Sequence, residues 1–360
     1  MAITLDKLRA YAVNRSLFEP TELLAAIKRL GFVQMDPIRA PARAQDLILR
    51  HRVTDYRAGD LERAYTDRPL AEDILHVYGV LPKATQKLLH PRGDARSWRV
   101  EREQPHLTES VLEYIRRHGA AHPRQLQQMI GKTSIVNGWG GSSAATTRML
   151  EALHYKGHLR VQRRDSGVKV YALSGGVKQA LDWEQRQVGL VKLMVRLYAP
   201  LSQTSLRRNL AMLGPLSAQQ RPWMQIIQSL LEQDWLRGAS VDGVNYLWPR
   251  SERSGIKAPE TVRLLAPFDP IVWDRRRFEH FWGWEYRFEA YTPPEKRRLG
   301  YYALPLLWRD AVIGWGNVQV NNGKLKVALG FVDGRPKDPA FKRELDAERD
   351  RLSRFLDRSL

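Results

Sequence analysis

The chain has 360 residues, more than a single core usually holds, and this length predicts about two to four domains. Hydrophobic residues make up 43% of it, which excludes a wholly disordered protein, and the absence of cysteine excludes disulfides, thiolate metal sites and cysteine nucleophiles. Lys and Arg total 58 against 39 Asp and Glu, and the resulting net charge of +19 favours a polyanionic partner, most commonly nucleic acid.

The sequence also predicts where the protein works. No apolar run approaches the roughly 18 residues that span a bilayer. The N-terminal MAITLDKLRAYAVNRS has no apolar stretch followed by a small-residue cleavage site, so no signal peptide is predicted. We therefore expect a cytoplasmic, nucleoid-associated protein without a membrane partner.

Residues 1–100 form the first predicted domain. Apolar residues recur at helical spacing up to Gly31, a residue suited to the left-handed conformation that closes a helix. Extended segments are predicted over 32–36 and 70–82, with helices between them. We interpret this block as a winged helix, although its element order fits that fold less closely than the order in the two blocks that follow.

Residues 101–178 have the most regular pattern. Three helices are predicted, the first with Thr108 as its N-cap, and two alternating segments follow on either side of a turn at 165–167. Three helices and a hairpin in this order are typical of a winged helix, whose third helix commonly lies in the major groove of DNA. Residues 179–252 repeat the order, with the hairpin turning at 242–243.

Residues 253–360 differ in composition. Aromatic and β-branched residues are frequent over 255–335, with a turn signal at 322–323, and they predict a small antiparallel β-domain. A C-terminal amphipathic helix is predicted from its residues spaced for packing, Phe341, Leu345, Leu352 and Leu356. The whole chain is therefore expected to be α+β, with three tandem winged-helix modules followed by the β-domain and this helix.

The segment GFVQMDPIR, residues 31–39, places an amide and a carboxylate two residues apart, at Gln34 and Asp36. Alternate residues of a strand point to the same side, so these two should project together while Val33 and Met35 face the core. A fixed amide and carboxylate can orient a water molecule and remove its proton. Polar residues at the end of a strand more often cap a turn or face solvent, so the residues alone leave both interpretations open.

Other groups indicate chemistry less strongly. His51, His76 and His90 fall in one block, but their spacing is not that of a helical metal site, and neither a metal nor a cofactor is predicted. The aromatic run FEHFWGWEYRFEAY, residues 278–291, is more typical of a β-domain core than of a surface that stacks on bases.

Two longer segments are distinctive: APFDPIVWDRRR, residues 266–277, and YRFEAYTPPEKRRLGYYALPLL, residues 286–307. Together with VQMDPI, residues 33–38, they closely resemble the winged-helix DNA glycosylases of the AlkZ/YcaQ type, which unhook interstrand crosslinks. The resemblance covers most of the chain, although the middle is matched mainly by element order. It implies three tandem winged helices that form a C-shaped cradle for duplex DNA.

The resemblance also implies the site. The family signature is a Gln, an apolar residue and then Gln or Asp, which here is Gln34-Met35-Asp36, the version found on the YcaQ-like branch. Gln34 and Asp36 are therefore the expected catalytic pair. His76 falls where YcaQ-like relatives have a His followed by an acidic residue, but Val77 stands in place of that acid here, and His76 is a candidate supporting residue.

The expected reaction is hydrolysis of the N-glycosidic bond of alkylated purines of the N7-alkylguanine type, including the unhooking of crosslinks, by a monofunctional DNA glycosylase. The partner is double-stranded DNA, bound by a monomer. Phosphate contacts are predicted on the third helix and hairpin of residues 101–178, at Arg148, Arg160, Arg163, Arg164 and Lys169. The alternatives are a winged-helix DNA-binding regulator without catalysis and a protein-interaction scaffold built from winged helices.

Overall fold

The structure of the protein is a computed structural model. It describes residues 3–65, 68–92, 97–131, 133–136, 141–176, 181–213, 223–252, 255–321 and 324–356. The chain forms two compact units. The first consists of Met1–Leu61, Val191–Ala211 and Pro222–Leu360, and the second consists of Glu62–Leu190 and Met212–Arg221.

Helices and short strands alternate through the described residues, which confirms that the protein is α+β. The helices are α1 Leu5–Ser16, α2 Leu23–Leu30, α3 Ala44–Leu49, α4 Asp60–Ala64, α5 Lys83–Gln86, α6 Arg99–Glu103, α7 Pro105–His118, α8 Pro123–Ile130, α9 Ala145–Tyr155, α10 Trp183–Tyr198, α11 Gln203–Ala211, α12 Trp223–Glu232, α13 Pro270–Trp273, α14 Arg275–Trp282 and α15 Pro339–Leu356. The strands are β1 Val33–Gln34, β2 Leu70–Ile74, β3 Tyr78–Pro82, β4 Ser134–Val136, β5 Ser142–Ala144, β6 Leu159–Asp165, β7 Val168–Leu173, β8 Leu201–Ser202, β9 Leu236–Val241, β10 Val244–Pro249, β11 Val262–Leu264, β12 Leu304–Trp308, β13 Ala311–Asn321 and β14 Lys324–Phe331.

A four-stranded antiparallel sheet, in the order β11-β12-β13-β14, forms part of the first unit. Leu264 pairs with Leu306, and Gly316 lies between Leu304 and Leu329. Helix α15 packs against β11. All four apolar residues expected to anchor this helix are buried, which confirms the amphipathic pattern: Phe341, Leu345, Leu352 and Leu356. The turn predicted at 322–323 lies outside the described residues.

A hydrophobic core joins the N-terminal helix of the first unit to its sheet. Val13 of α1 and Leu17, which directly follows α1, pack in one buried cluster with Ile271 and Val272 of α13 and with Phe278 of α14. The same cluster includes residues of β12 and β13, Leu307 and Val312. The segment around α13 is therefore held on two sides, by α1 and by the sheet.

Two predicted hairpin turns are confirmed. The β6–β7 hairpin of the second unit turns at Ser166 and Gly167, with φ of 49° and 83°, and the β9–β10 hairpin of the first unit turns at Asp242 and Gly243, with φ of 50° and 75°. Positive φ at both central residues suits two-residue hairpins, because that turn matches the twist of the strands. The interpretation of these regions as winged helices, and the four domain boundaries, stay predictions.

Three local predictions need correction. Helix α7 begins at Pro105, so Thr108 is not an N-cap; proline suits the first turn because its fixed φ is helical and its missing N–H is not needed there. Residues 70–82 are not one extended segment, because β2 and β3 pair as a hairpin with the Leu75 N–H bonded to the Val77 carbonyl at 3.0 Å. The strand expected over 32–36 is limited to Val33–Gln34.

Candidate active site

Gln34 and Asp36 follow directly on helix α2. This helix ends at Gly31, whose φ of 79° is left-handed and whose N–H bonds the Ile27 carbonyl at 2.8 Å, as predicted. A Cβ at position 31 would also lie 2.7 Å from a methyl group of Leu193, so a larger residue would both strain the backbone and require Leu193 to shift. Val33 is buried, whereas Gln34 and Asp36 are half-buried. Met35, expected in the core, is half-buried as well.

A local hydrogen bond orients the Asp36 carboxylate. Its Oδ1 accepts the backbone N–H of Ile38 at 2.9 Å, which closes an Asx turn across Pro37. Partial burial raises the pKa of Asp36 because it disfavours the charged form, and the Ile38 N–H opposes that shift. The result is a positioned carboxylate that is a stronger base than an ordinary aspartate.

The Gln34 amide is oriented by a residue far along the chain. The indole Nε1 of Trp273 donates to Gln34 Oε1 at 3.0 Å. An indole N–H can only donate, so the amide must turn its oxygen towards Trp273 and its two N–H groups elsewhere. The Trp273 ring stacks on Tyr198 with centroids 4.9 Å apart, which fixes the plane of the donor.

A buried ion pair positions the helix that carries Trp273. Asp269 is the N-cap of α13, where its carboxylate accepts from the Ile271 N–H at 3.1 Å. Both of its oxygens also accept from Arg52, at 2.8 and 2.9 Å, and both side chains are fully buried. Arg52 further donates to the carbonyls of Ser16 and Ile48. One guanidinium therefore ties α1 and α3 to the start of α13.

The candidate carboxylate acts electrostatically on a buried tyrosine. Burial raises the pKa of Tyr302, and the neighbouring Asp36 carboxylate raises it further by repelling a phenolate. Tyr302 is 4% exposed, and its hydroxyl has no hydrogen-bond partner among the described residues. Tyr286, Tyr291 and Tyr301 also raise the pKa of this phenol electrostatically.

His76 belongs to the second unit, in the turn between β2 and β3. It is 7% exposed, and burial lowers its pKa to about 3. The imidazole is therefore neutral at physiological pH. A neutral imidazole can exchange hydrogen bonds but cannot attract phosphate by charge.

Among the residues that the structure describes, no group of three or more His, Asp or Glu side chains is arranged to hold a metal ion. None of the described helices combines the length and the apolarity needed to cross a bilayer.

Comparison with known proteins decides the family. A family described as DNA glycosylase AlkZ-like matches residues 27–355, nearly the whole chain. The chain belongs to this family of DNA glycosylases. The fold is also similar to that of the Streptomyces sahachiroi DNA glycosylase AlkZ, with a TM-score of 0.65 and 15% sequence identity over 99% of this chain and 97% of that one. The resemblance seen in the sequence is confirmed, and the family is one of hydrolases that act on DNA.

The five basic residues expected to contact phosphate on this AlkZ-like glycosylase differ in their exposure and in their partners. Arg160 and Arg163 are exposed on β6, and Arg163 pairs with Asp165 at 3.0 Å. Arg164 instead directs two of its nitrogens to Glu72, at 2.7 and 2.6 Å, and Lys169 lies 3.7 Å from the centroid of the Tyr78 ring. The fifth residue, Arg148 of α9, is half-buried and pairs with Glu151.

Sequence reasoning did not foresee how many arginines serve the fold of this glycosylase. The run 275–277 contributes to the basic excess, yet Arg277 is buried and donates to the carbonyls of Pro270 and Ile271. Arg275 donates to the carbonyls of Val272 and Pro267. These bonds satisfy the backbone around α13. Their position shortly after PFDP, residues 267–270, could have indicated this structural role in the sequence. Helix ends and turns leave backbone carbonyls without partners, and a nearby arginine can donate to them.

Proposed function

We propose that the protein hydrolyses the N-glycosidic bond of N7-alkylated guanines in double-stranded DNA, including guanines joined in interstrand crosslinks. The proposal rests on one observation above the others: the Gln34-Met35-Asp36 signature carries an oriented amide and a half-buried carboxylate with a raised pKa, in a chain of the AlkZ-like family. Neither a cofactor nor a metal is required by this chemistry.

Charge drives the bond-breaking step. Alkylation at N7 makes guanine cationic, so the base leaves readily when the N9–C1′ bond breaks and takes both electrons to become neutral. The sugar is left with positive charge spread over C1′ and its ring oxygen. The Asp36 carboxylate stabilises this charge, and its partial burial strengthens the interaction because fewer waters screen it.

Water completes the reaction. An N–H of Gln34 donates to the oxygen of one water molecule, since Trp273 already occupies the amide oxygen. The water oxygen bonds to C1′ while its proton passes to Asp36, whose raised pKa suits it to act as a base. The products are a free alkylated base and an abasic site. The signature holds no amine, so no Schiff base forms and the strand stays intact, as for a monofunctional glycosylase.

The overall charge suits the substrate. A net charge of +19 draws a polyanion to the protein, and the winged-helix modules inferred along the chain would supply the surface that holds the duplex. A crosslinked base is too bulky to rotate into a closed pocket, so an open surface is the better match to such a lesion. An enzyme that acts on one lesion at a time needs no twofold symmetry, and we propose a monomer.

The test is base release from a duplex that carries one N7-methylguanine, and in a second arm from a duplex that carries a nitrogen-mustard crosslink. We expect wild-type protein to release base and to leave a site cleaved only by alkali. Asp36→Asn should release base at least about 100-fold more slowly while binding DNA normally. Asp6→Asn, an exposed carboxylate in the same unit, serves as the matched control.

Three outcomes would contradict the proposal. Unimpaired release by Asp36→Asn would exclude the assigned role of the carboxylate. Release from the monoadduct without any effect on the crosslink would remove crosslinks from the substrate range. Selection of one duplex sequence from a random pool, without base release by the wild type, would favour a regulator.

A further inference from the structure

The aromatic run 278–291 begins with buried residues and ends with an exposed one. Phe278 and Phe281 are fully buried and Tyr286 is 2% exposed, as expected for a domain core. Tyr291, the last residue of the run, is 80% exposed. A single exposed ring on a protein surface is common and by itself indicates nothing. Tyr291 differs from such a ring in its surroundings, which are a hydrogen-bonded loop, an aromatic cluster and basic side chains.

Tyr291 lies in an ordered loop, residues 289–302. The buried Glu289 carboxylate accepts backbone N–H groups from Arg298, Leu299 and Gly300, at 2.7 to 3.1 Å. Burial alone would raise the pKa of Glu289, but these donors outweigh it and the pKa lies below its usual range. These bonds tie the start of the loop to residues 298–300 and restrict the conformations open to it.

Further contacts restrict the same loop. The Arg297 Nε donates to the Thr292 carbonyl at 2.8 Å, and the Asn317 amide donates to the Leu299 carbonyl at 2.8 Å. Gly300 has a φ of 124°, and a Cβ there would lie 2.2 Å from the Asn317 side chain. The exposed ring of Tyr291 is thus presented by a rigid support, which lowers the entropy lost when it meets a ligand.

Ring contacts connect Tyr291 to Tyr302, the buried tyrosine on which Asp36 acts electrostatically. Tyr291 packs edge-on against Phe288 with centroids 6.1 Å apart, and Phe288 packs edge-on against Tyr302 at 5.2 Å. Tyr302 is the buried phenol on which Asp36 acts. The exposed ring therefore belongs to the same aromatic cluster as the buried phenol on which the candidate carboxylate acts.

The loop also carries positive charge. Lys296 and Arg298 are exposed, and the Arg297 guanidinium lies over the exposed ring of Tyr301, 5.0 Å from its centroid. Exposed aromatic rings interleaved with basic side chains on a rigid support are typical of surfaces that bind unstacked nucleotides, where rings stack on bases and cations meet phosphates.

We propose that the 289–302 loop is a nucleobase-stacking site, in which the Tyr291 ring stacks on a base beside the lesion. Removal of a damaged base leaves its neighbours partly unstacked, and an aromatic ring offers them a new face. Lys296 and Arg298 bind the flanking phosphates. This inference rests on the proposed function, because it takes damaged DNA to be the ligand.

The experiment measures binding without chemistry. The probe is a fluorescent duplex with a tetrahydrofuran abasic analogue, and its affinity for Asp36→Asn protein is compared with that of an undamaged duplex. Adding Tyr291→Ala should weaken binding of the abasic duplex about 5- to 100-fold and that of the undamaged duplex much less. Tyr291→Phe and Tyr291→Trp should bind like the parent, because the ring and not the hydroxyl stacks.

Two controls separate stacking from other effects. Ile256→Ala removes another exposed apolar side chain of the same unit, 60% exposed, and should change nothing. Arg298→Ala should lower the slope of log affinity against log salt by about one, whereas Tyr291→Ala should leave that slope unchanged. Melting temperatures of all variants show whether the loop change affects folding.

The results distinguish this inference from the proposed function. Parent-like binding by Tyr291→Ala, equal losses for Phe, Trp and Ala, or an equal loss on undamaged duplex would each overturn the stacking role. The wild type could instead fail to release base while Tyr291→Ala, but not Tyr291→Phe or Tyr291→Trp, weakens binding of the abasic duplex. That result would contradict the proposed reaction and still support the nucleobase-stacking site.

Discussion

The indole N–H of Trp273 donates a hydrogen bond to the side-chain oxygen of Gln34, 3.0 Å away, although 239 residues separate the two in the sequence. The bond links two of the three segments that carry the family resemblance, VQMDPI and APFDPIVWDRRR. It also settles which way the amide faces, because the indole can only donate. Through Trp273, the APFDPIVWDRRR segment thus orients one amide of the candidate active site.

Trp273→Phe tests this positioning. The phenyl ring can still stack on Tyr198, but the N–H donor is lost and the Gln34 amide is free to turn over. We expect kcat for base release to fall about 3- to 10-fold, in line with one hydrogen bond, with little change in KM. Single-turnover kinetics on an N7-methylguanine duplex measure it. Wild-type activity in Trp273→Phe, alongside a large loss in Gln34→Ala, would show that the amide needs no such partner.

The activity should depend on pH through Asp36. Only the ionised carboxylate can stabilise a cationic sugar, and burial raises its pKa above the ordinary aspartate value of about 3.9. Base release should therefore fall as pH drops through this raised pKa, after subtraction of the uncatalysed rate. His76, with a pKa lowered to about 3, should cause no further change in activity between pH 5 and 8. Activity that stays flat down to pH 4 would argue against ionised Asp36.

Neighbouring arginines on one strand should behave differently towards salt. Arg160 is exposed, so Arg160→Gln should lower the salt slope of DNA binding by about one and leave stability unchanged. Arg164→Gln removes the cation paired with buried Glu72, so it should lower stability and leave the slope nearly unchanged. Fluorescence anisotropy at several salt concentrations and thermal melting measure the two effects. The reverse pattern would mean that Arg164 exchanges Glu72 for phosphate when DNA binds.

Breaking the buried ion pair of Arg52 and Asp269 should destabilise the first unit. Asp269→Asn leaves the fully buried guanidinium without its charged partner, and we expect the free energy of unfolding to fall by about 3–5 kcal/mol. Glu285→Gln breaks the exposed pair with Arg287 and should lower stability far less, because water screens that pair. Chemical denaturation followed by tryptophan fluorescence measures both. Equal losses would show that burial of the first pair adds nothing.

Local signals accounted for the parts of the fold that were predicted well. Gly31 closes α2 in the left-handed conformation, and the hairpins turn at 166–167 and 242–243, because these residues tolerate positive φ. The hairpin at 70–82 was missed because its reversal at 75–77 has no glycine or asparagine to signal it. Thr108 was misassigned because the proline three residues earlier is the better helix start.

The sequence by itself determined the α+β class, the turn positions, the basic excess and, through the Gln34-Met35-Asp36 signature and the 266–307 segments, the glycosylase family. Only the tertiary structure decided which polar groups pair with one another and which side chains stay exposed. Trp273 takes the Gln34 oxygen, Asp269 takes Arg52 and Glu72 takes Arg164, while Tyr291 is left in solvent. The physical reason is that capping and turn preferences act between neighbouring residues, whereas hydrogen bonds and burial depend on partners that folding brings together from distant parts of the chain.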